Sequence, residues 1–280
     1  MNLADIRRID AYVLGRTVRE NLLKRLLEDN STTINGWVSV DSPYLSEVLS
    51  YSGLDSVTVD LQHGMFGFGA AVGLLQGVSA GPATPMARCV TLDSATIGKL
   101  LDAGAYGIIC PAIDTVEQAR ALVAACRYPP RGVRSFGPAR GLLYGGSDYV
   151  TAADSTILSW AMIESVTALA NLDEIVAVPG LSGVFVGPND LALSLGERPG
   201  QWPLPATVWA ALERIVSASH SAGIKAGIFC VDAESARALA ELGFDLLTPG
   251  TDVSILRAAV EDRVAAIRDS APRQGGGSGY

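Results

Sequence analysis

Long apolar runs are missing from this 280-residue chain. Its apolar stretches are short, as in Ala161-Met162-Ile163 or Val184-Phe185-Val186, and none approaches the roughly 18–20 residues of a membrane span. Residues 1–10 mix charges and carry no apolar segment, so no secretion signal is expected and the expected location is cytoplasmic. A cationic excess is also missing. Lys and Arg number 21 against 29 Asp and Glu, a net charge of −8. That leaves no footprint for nucleic acid or an anionic membrane, although a few placed cations can still hold a small anion. Cysteine is sparse. Cys89, Cys110, Cys126 and Cys230 are far apart and form no C-x-x-C pair, which predicts buried, reduced thiols. There are only three lysines, and Lys24, Lys99 and Lys225 fall in two helical stretches and at the start of a strand. None stands where a strand ends, which disfavours Schiff-base chemistry.

Apolar residues make up 49% and charged residues 18%, enough to bury a large core and too apolar for a disordered chain. Strand-like runs cover 33–40, 56–61, 85–90, 107–111, 158–164, 183–187, 226–230 and 245–248. Helical patterns alternate with them at 44–51, 68–78, 93–103, 115–126, 166–178, 205–222, 232–242 and 254–270. Asp93, Thr115 and Asp232 stand as N-caps, and Gly53, Gly104, Gly223 and Gly243 as helix stops. Eight strand–helix units predict an α/β fold, a (β/α)8 TIM barrel. No G-x-G-x-x-G opens the first helix, against an open dinucleotide-binding sheet. An amphipathic helix is expected over 4–28, with Leu14, Val18, Leu22 and Leu26 on one face. The predicted organisation is an N-terminal helical extension at 1–30, the barrel at 31–271 and a flexible tail at 272–280. Residues 128–148, rich in proline and glycine, read as one long irregular loop, functional or at an interface.

Chemistry in such a barrel sits where strands end. Asp60-Leu61-Gln62-His63 follows the second strand and Arg88 lies in the third. Glu164 ends the fifth, and Gly187-Pro188-Asn189-Asp190 follows the sixth. Taken singly, Asp190 reads first as a helix cap, Asp60 as a turn acceptor and Arg88 as the partner of a barrel acid. Glu164 ends an apolar run and must be solvated, paired or metal-bound. His220, in a polar helical stretch, reads as a surface residue. Together, two carboxylates with open positions and no Cys or His cluster favour a hard divalent ion. Such an ion suits a bidentate 2-oxo acid and acts as a Lewis acid toward an enolate. The 249–252 loop is a weak phosphate candidate, although its helix start could cradle a carboxylate.

Asp60-Leu61-Gln62-His63-Gly64, Ile163-Glu164 and Gly187-Pro188-Asn189-Asp190-Leu191 together resemble the HpcH/HpaI aldolase family. The resemblance takes in Trp37, Leu101-Asp102-Ala103-Gly104, the 127–134 stretch and Gly250-Thr251-Asp252, and spans roughly residues 35–260. It implies a (β/α)8 barrel assembled as a trimer or hexamer. It implies a divalent metal (Mg²⁺, Mn²⁺ or Co²⁺) on Glu164 and Asp190. Arg88 and the amides of Asn189 and Asp190 would hold the keto acid, with Trp37 at the substrate. His63, oriented by Asp60, would be the base, through a metal-bound water. The implied reaction is reversible cleavage of a 4-hydroxy-2-oxo acid to pyruvate and an aldehyde. Alternatives within the superfamily are oxaloacetate decarboxylation, biosynthetic C–C bond formation and acyl-CoA cleavage; a catalytically silent barrel is the reading from another class. The sequence departs from the family pattern at Met162, where Gln is common, at Asn189, where Ala is expected, and in the apolar 64–69 loop.

Overall fold

The structure, a computed structural model, describes residues 18–270. Eight parallel strands close into a barrel in sequence order, β1 pairing with both β2 and β8. They are β1 (Thr33–Val38), β2 (Ser56–Asp60), β3 (Thr84–Arg88), β4 (Gly107–Cys110), β5 (Leu158–Ile163), β6 (Gly183–Val186), β7 (Lys225–Cys230) and β8 (Leu246–Pro249). Each sits where the apolar runs place it. The TIM barrel expected from the alternating pattern is therefore the fold.

Alternate residues of each strand point inward. Met86, Ile109, Leu158, Trp160, Met162, Phe185 and Leu246 fill the barrel as one cluster. Trp160 fits only because its neighbour on β6 is Gly183: a Cβ there would lie 2.4 Å from the indole Cζ3. One arc of the interior is polar and internally satisfied. Asn35 Nδ2 donates to Thr248 Oγ1 (2.9 Å), and Asn35 Oδ1 accepts from Ser56 Oγ (2.8 Å) and Thr58 Oγ1 (3.0 Å).

Helix α1 (Leu22–Glu28) closes the N-terminal mouth, adding Leu23 and Leu27 to the interior cluster. Of the helix expected over 4–28, the described residues show Leu22–Glu28. Asn21 caps it, accepting from Lys24 N, and its amide group donates to Tyr106 O (3.2 Å) and Thr156 O (2.8 Å). Residues 18–21 are not helical; residues 4–17, and the 272–280 tail, lie outside the described residues.

The outer layer is α2 (Pro43–Ser50), α3 (Phe68–Ala80), α4 (Ser94–Asp102), α5 (Val116–Ala125), α6 (Ala139–Gly145), α7 (Tyr149–Thr156), α8 (Val166–Ala170), α9 (Leu172–Val176), α10 (Pro188–Ser194), α11 (Ala206–Ser221), α12 (Ala233–Leu242) and α13 (Asp252–Ser270). Asp93, Thr115 and Asp232 cap α4, α5 and α12 as expected. The single helix expected over 166–178 is two, broken at Asn171, whose amide donates to Asp114 O (2.8 Å). The 128–148 stretch is not wholly irregular. It contains α6 and is anchored by buried Arg134, which bonds Asp102 Oδ1 (2.7 Å) and the Tyr149 hydroxyl (3.1 Å) and lies over the Tyr128 ring. All four cysteines are free and buried. Among the described residues no helix is long and apolar enough to cross a membrane.

Candidate active site

The register of β2 against β3 sets Asp60 opposite Arg88 at the C-terminal end of the barrel. The two form a buried bidentate pair, Nε to Oδ1 at 2.8 Å and Nη2 to Oδ2 at 2.6 Å. Trp37 Nε1 donates to Asp60 Oδ2 (3.1 Å), and the guanidinium lies over the Trp37 ring at 4.8 Å. The backbone N–H groups of Gln62 (3.0 Å) and His63 (3.3 Å) donate to Oδ1. Burial pushes the Asp60 carboxyl up, but the hydrogen bonds and charge of Arg88, with the Trp37 bond, outweigh it and hold the group below its ordinary 3.8. Asp60 is therefore a saturated anion. It fixes the backbone of His63, not the imidazole, so the orientation expected of Asp60 acts through the 60–63 turn. His63 is exposed. Arg88 Nη1 has no hydrogen-bond partner among the described residues.

Two further carboxylates meet above Gly187. A Cβ on Gly187 would lie 2.8 Å from Glu164 Oε2 and 3.5 Å from Asp190 Oδ2, with the Met162 methyl at 3.3 Å. Glycine here keeps open the space that both acids face. Glu164 Oε1 accepts from Ala112 N (2.8 Å), and Ala112 adopts φ +54, in the left-handed region. Burial pushes the Glu164 carboxyl above its ordinary 4.5; the Ala112 bond and the Arg88 charge oppose this, and the Asp190 charge adds to it. Among the described residues no group of three or more His, Cys, Asp or Glu gathers around a metal position. The donor set is thus two hard carboxylates with other positions open, which fits a cation that keeps waters or a chelating ligand, as Mg²⁺ does.

Arg88, Asp60, His63, Trp37, Asn189 and Asp190 all line one cavity of about 330 Å³ at the C-terminal end of the strands. Glu164 reaches its edge beside Gly187. Over residues 34–259 the chain matches the family described as HpcH/HpaI aldolase/citrate lyase. The chain belongs to that family. It is an enzyme of the lyase class. A hydroxypyruvate/pyruvate aldolase of Rhizorhabdus wittichii is 40% identical over 248 residues, 89% of this chain and 99% of the relative. A 2-keto-3-deoxy-L-rhamnonate aldolase of Salmonella gallinarum is 32% identical over 253 residues, 89% and 93% of the two chains. The crystal structure of an HpcH/HpaI aldolase/citrate lyase family protein from Burkholderia cenocepacia superposes with a TM-score of 0.82 at 30% identity, covering 89% of this chain and 99% of that one.

Within this HpcH/HpaI barrel, several lining residues escaped the sequence reading. Phe185 stacks on Trp37 (centroids 5.7 Å, 27°) and Phe229 meets it edge-on (5.7 Å, 88°). Inward alternation on β6 and β7 was the signal that could have found them. Ala112 carries no sequence signal at all, since its contribution is a backbone N–H. Asn189 Oδ1 accepts from Gly200 N (2.8 Å), which holds the side chain; its Nδ2, its backbone N–H and that of Asp190, in the first turn of α10, remain for a ligand. The 249–252 loop is closed rather than receptive. Asp252 accepts from Ser39 N, Ser39 Oγ, Val40 N and Val253 N, while Thr251 and Ser254 cap each other. The three lysines bind elsewhere: Lys24 to Ser155 O and Glu28, Lys99 over the Phe68 ring, Lys225 to Asn30 and Asp245.

Proposed function

We propose that this enzyme is a divalent-metal-dependent pyruvate aldolase that reversibly cleaves a 4-hydroxy-2-oxo acid to pyruvate and an aldehyde. The observation that carries this reading is the convergence of Glu164 and Asp190 above Gly187, beside the cavity that Arg88 and His63 line. The aldolase names of its relatives support it.

In this reading Mg²⁺, Mn²⁺ or Co²⁺ on Glu164 and Asp190 supplies Lewis acidity toward the 2-oxo group. Arg88 Nη1 and the backbone N–H groups of Asn189 and Asp190 hold the keto-acid end of the substrate. Asp60 keeps Arg88 in place and Trp37 packs against its guanidinium. His63 takes the proton of the C4 hydroxyl. The C3–C4 bond breaks, its electron pair moves toward the 2-oxo group as an enolate, and C4 leaves as the aldehyde carbon. His63 returns the proton to C3, giving pyruvate. One proton moves from O4 to C3 and no co-reactant is consumed. A trimeric or hexameric assembly belongs to the same reading; Leu256 and Val260, exposed on α13, support it.

The test is pyruvate release from a panel of 4-hydroxy-2-oxo acids with Mg²⁺, with Mn²⁺ and with EDTA. Metal-dependent release is expected, with Asp190→Ala lowering kcat on the order of 10³-fold. Full activity after thorough chelation overturns the metal role. No pyruvate with any metal, from protein that binds Mn²⁺, moves the assignment to biosynthetic C–C bond formation.

A further inference from the structure

We infer that the part of the cavity facing away from the carboxylate pair takes an aldehyde with an alkyl or aryl substituent rather than a polyhydroxylated one. The inference rests on the pyruvate aldolase reading and names the second substrate of that site.

Pyruvate fills on the order of 100 Å³, three to four times the share of a water molecule. The cavity of about 330 Å³ therefore leaves room for the acceptor. The groups suited to a keto acid lie on one arc: Arg88 on β3, Glu164 after β5 and Asp190 after β6. The other arc, β7, β8 and β1, lines the cavity with Phe229, Thr251, Trp37 and Ser39, none of them charged, while β2 between the arcs adds His63 and Asp60, the latter taken up by Arg88. Its polar atoms are largely engaged. Trp37 Nε1 donates to Asp60 (3.1 Å), Ser39 Oγ donates to Asp252 Oδ1 (2.5 Å), and Thr251 Oγ1 accepts from Ser254 N (3.1 Å). A polyol entering here would exchange water for few partners, and each unpaired hydroxyl would count against it. Phe229, half-buried and edge-on to Trp37, offers a ring to an apolar guest instead.

The approach to this arc carries exposed aliphatic groups beside the exposed Asp41, His63 and Asp232. The exits of β1, β7 and β8, and of β2 next to them, are followed by Val40, Val231, Val253 and Met65, all exposed, Met65 at 91%. Met65 N donates to Ser39 O (3.2 Å), which fixes its backbone beside the uncharged arc. Large aliphatic groups left open around a cavity mouth mark a surface that meets apolar matter.

The experiment is aldol addition of pyruvate, with Mg²⁺, to butanal and phenylacetaldehyde against glyceraldehyde and erythrose. We expect kcat/KM at least tenfold higher for the two apolar aldehydes; an equal or higher value for the polyols overturns the inference. Phe229→Thr should lower the apolar-over-polyol ratio at least fivefold, and an unchanged ratio in the folded variant likewise overturns it. Exchange of the pyruvate methyl protons in D₂O, followed by NMR without any aldehyde, reports on the donor arc alone. Exchange with a polyol preference sinks this inference and leaves the aldolase reading standing. No exchange and no cleavage sink both.

Discussion

The two ends of the barrel handle charge in opposite ways. At the N-terminal end, Lys225 donates to Asn30 Oδ1 (2.7 Å) and Asp245 Oδ1 (3.4 Å), while Asp245 Oδ2 meets Ala226 N (2.8 Å) and His220 Nε2 (3.0 Å). Lys225, His220 and Asp245 are thus answered by one another and by Asn30 and Ala226. At the C-terminal end, Asp60 and Arg88 are paired, but Glu164 Oε2, Asp190 and Arg88 Nη1 face a cavity without protein partners among the described residues. The N-terminal end also holds the larger cavity, about 610 Å³ against 330 Å³. What separates the two cavities is the pairing of charge, with the smaller one holding the unpaired groups. A barrel end whose groups are mutually satisfied contributes stability, and one whose groups are held apart is set up for a ligand.

That contrast can be broken most strongly at Asp60. Asp60→Ala would leave Arg88 a buried cation with no carboxylate, and the expected loss is about 3–5 kcal/mol of unfolding free energy. Urea denaturation measures it. A loss under about 1 kcal/mol would mean that the Arg88–Asp60 pair serves only the ligand.

Glu164 should show the opposite sign. Its folded carboxyl titrates above 4.5, so just above that pH the folded chain binds more protons than the unfolded one, and stability falls as pH rises. Asp60, held below 3.8, contributes stability above 3.8 that is lost as pH falls through its folded value. Glu164→Gln in metal-free buffer is therefore expected to be more stable than wild type by about 1 kcal/mol at neutral pH. The gain should vanish below pH 4.5, where wild-type Glu164 is itself protonated. A gain independent of pH in thermal melts would remove charge as its cause.

The smallest effect is expected at the other end. His220 is 43% exposed, and His220→Ala should cost about 0.5 kcal/mol or less, with kcat and KM for pyruvate release unchanged. A changed kcat would show that the N-terminal end is coupled to the chemistry.

The strands were legible because a barrel strand, covered on both faces, writes itself as a short apolar run between helix caps. Glu164, Asp190, Asp60, His63 and Arg88 were legible because carboxylates, a histidine and an arginine at the ends of such runs have no place in a core. What stayed hidden depends on partners distant in the chain. Asn171 breaks a helix because Asp114 O, 57 positions away, takes its amide. The 128–148 stretch acquires order because Arg134 finds Asp102 and Tyr149. The Asp60 contact to the backbone of His63 rather than its ring follows from how many donors crowd one carboxylate, which spacing along the sequence does not encode.

Ala112 limits how this enzyme can be altered. Its backbone, at φ +54, turns the N–H onto Glu164 Oε1 while the side chain points to solvent. In a screen of substitutions, position 112 should look like an ordinary exposed alanine by burial and yet accept mainly glycine, asparagine and aspartate. Valine, isoleucine and threonine, harmless at most exposed positions, would carry a stereochemical penalty that falls directly on Glu164. The constraint on this corner of the site is thus written in chirality, and no catalogue of side-chain contacts would reveal it.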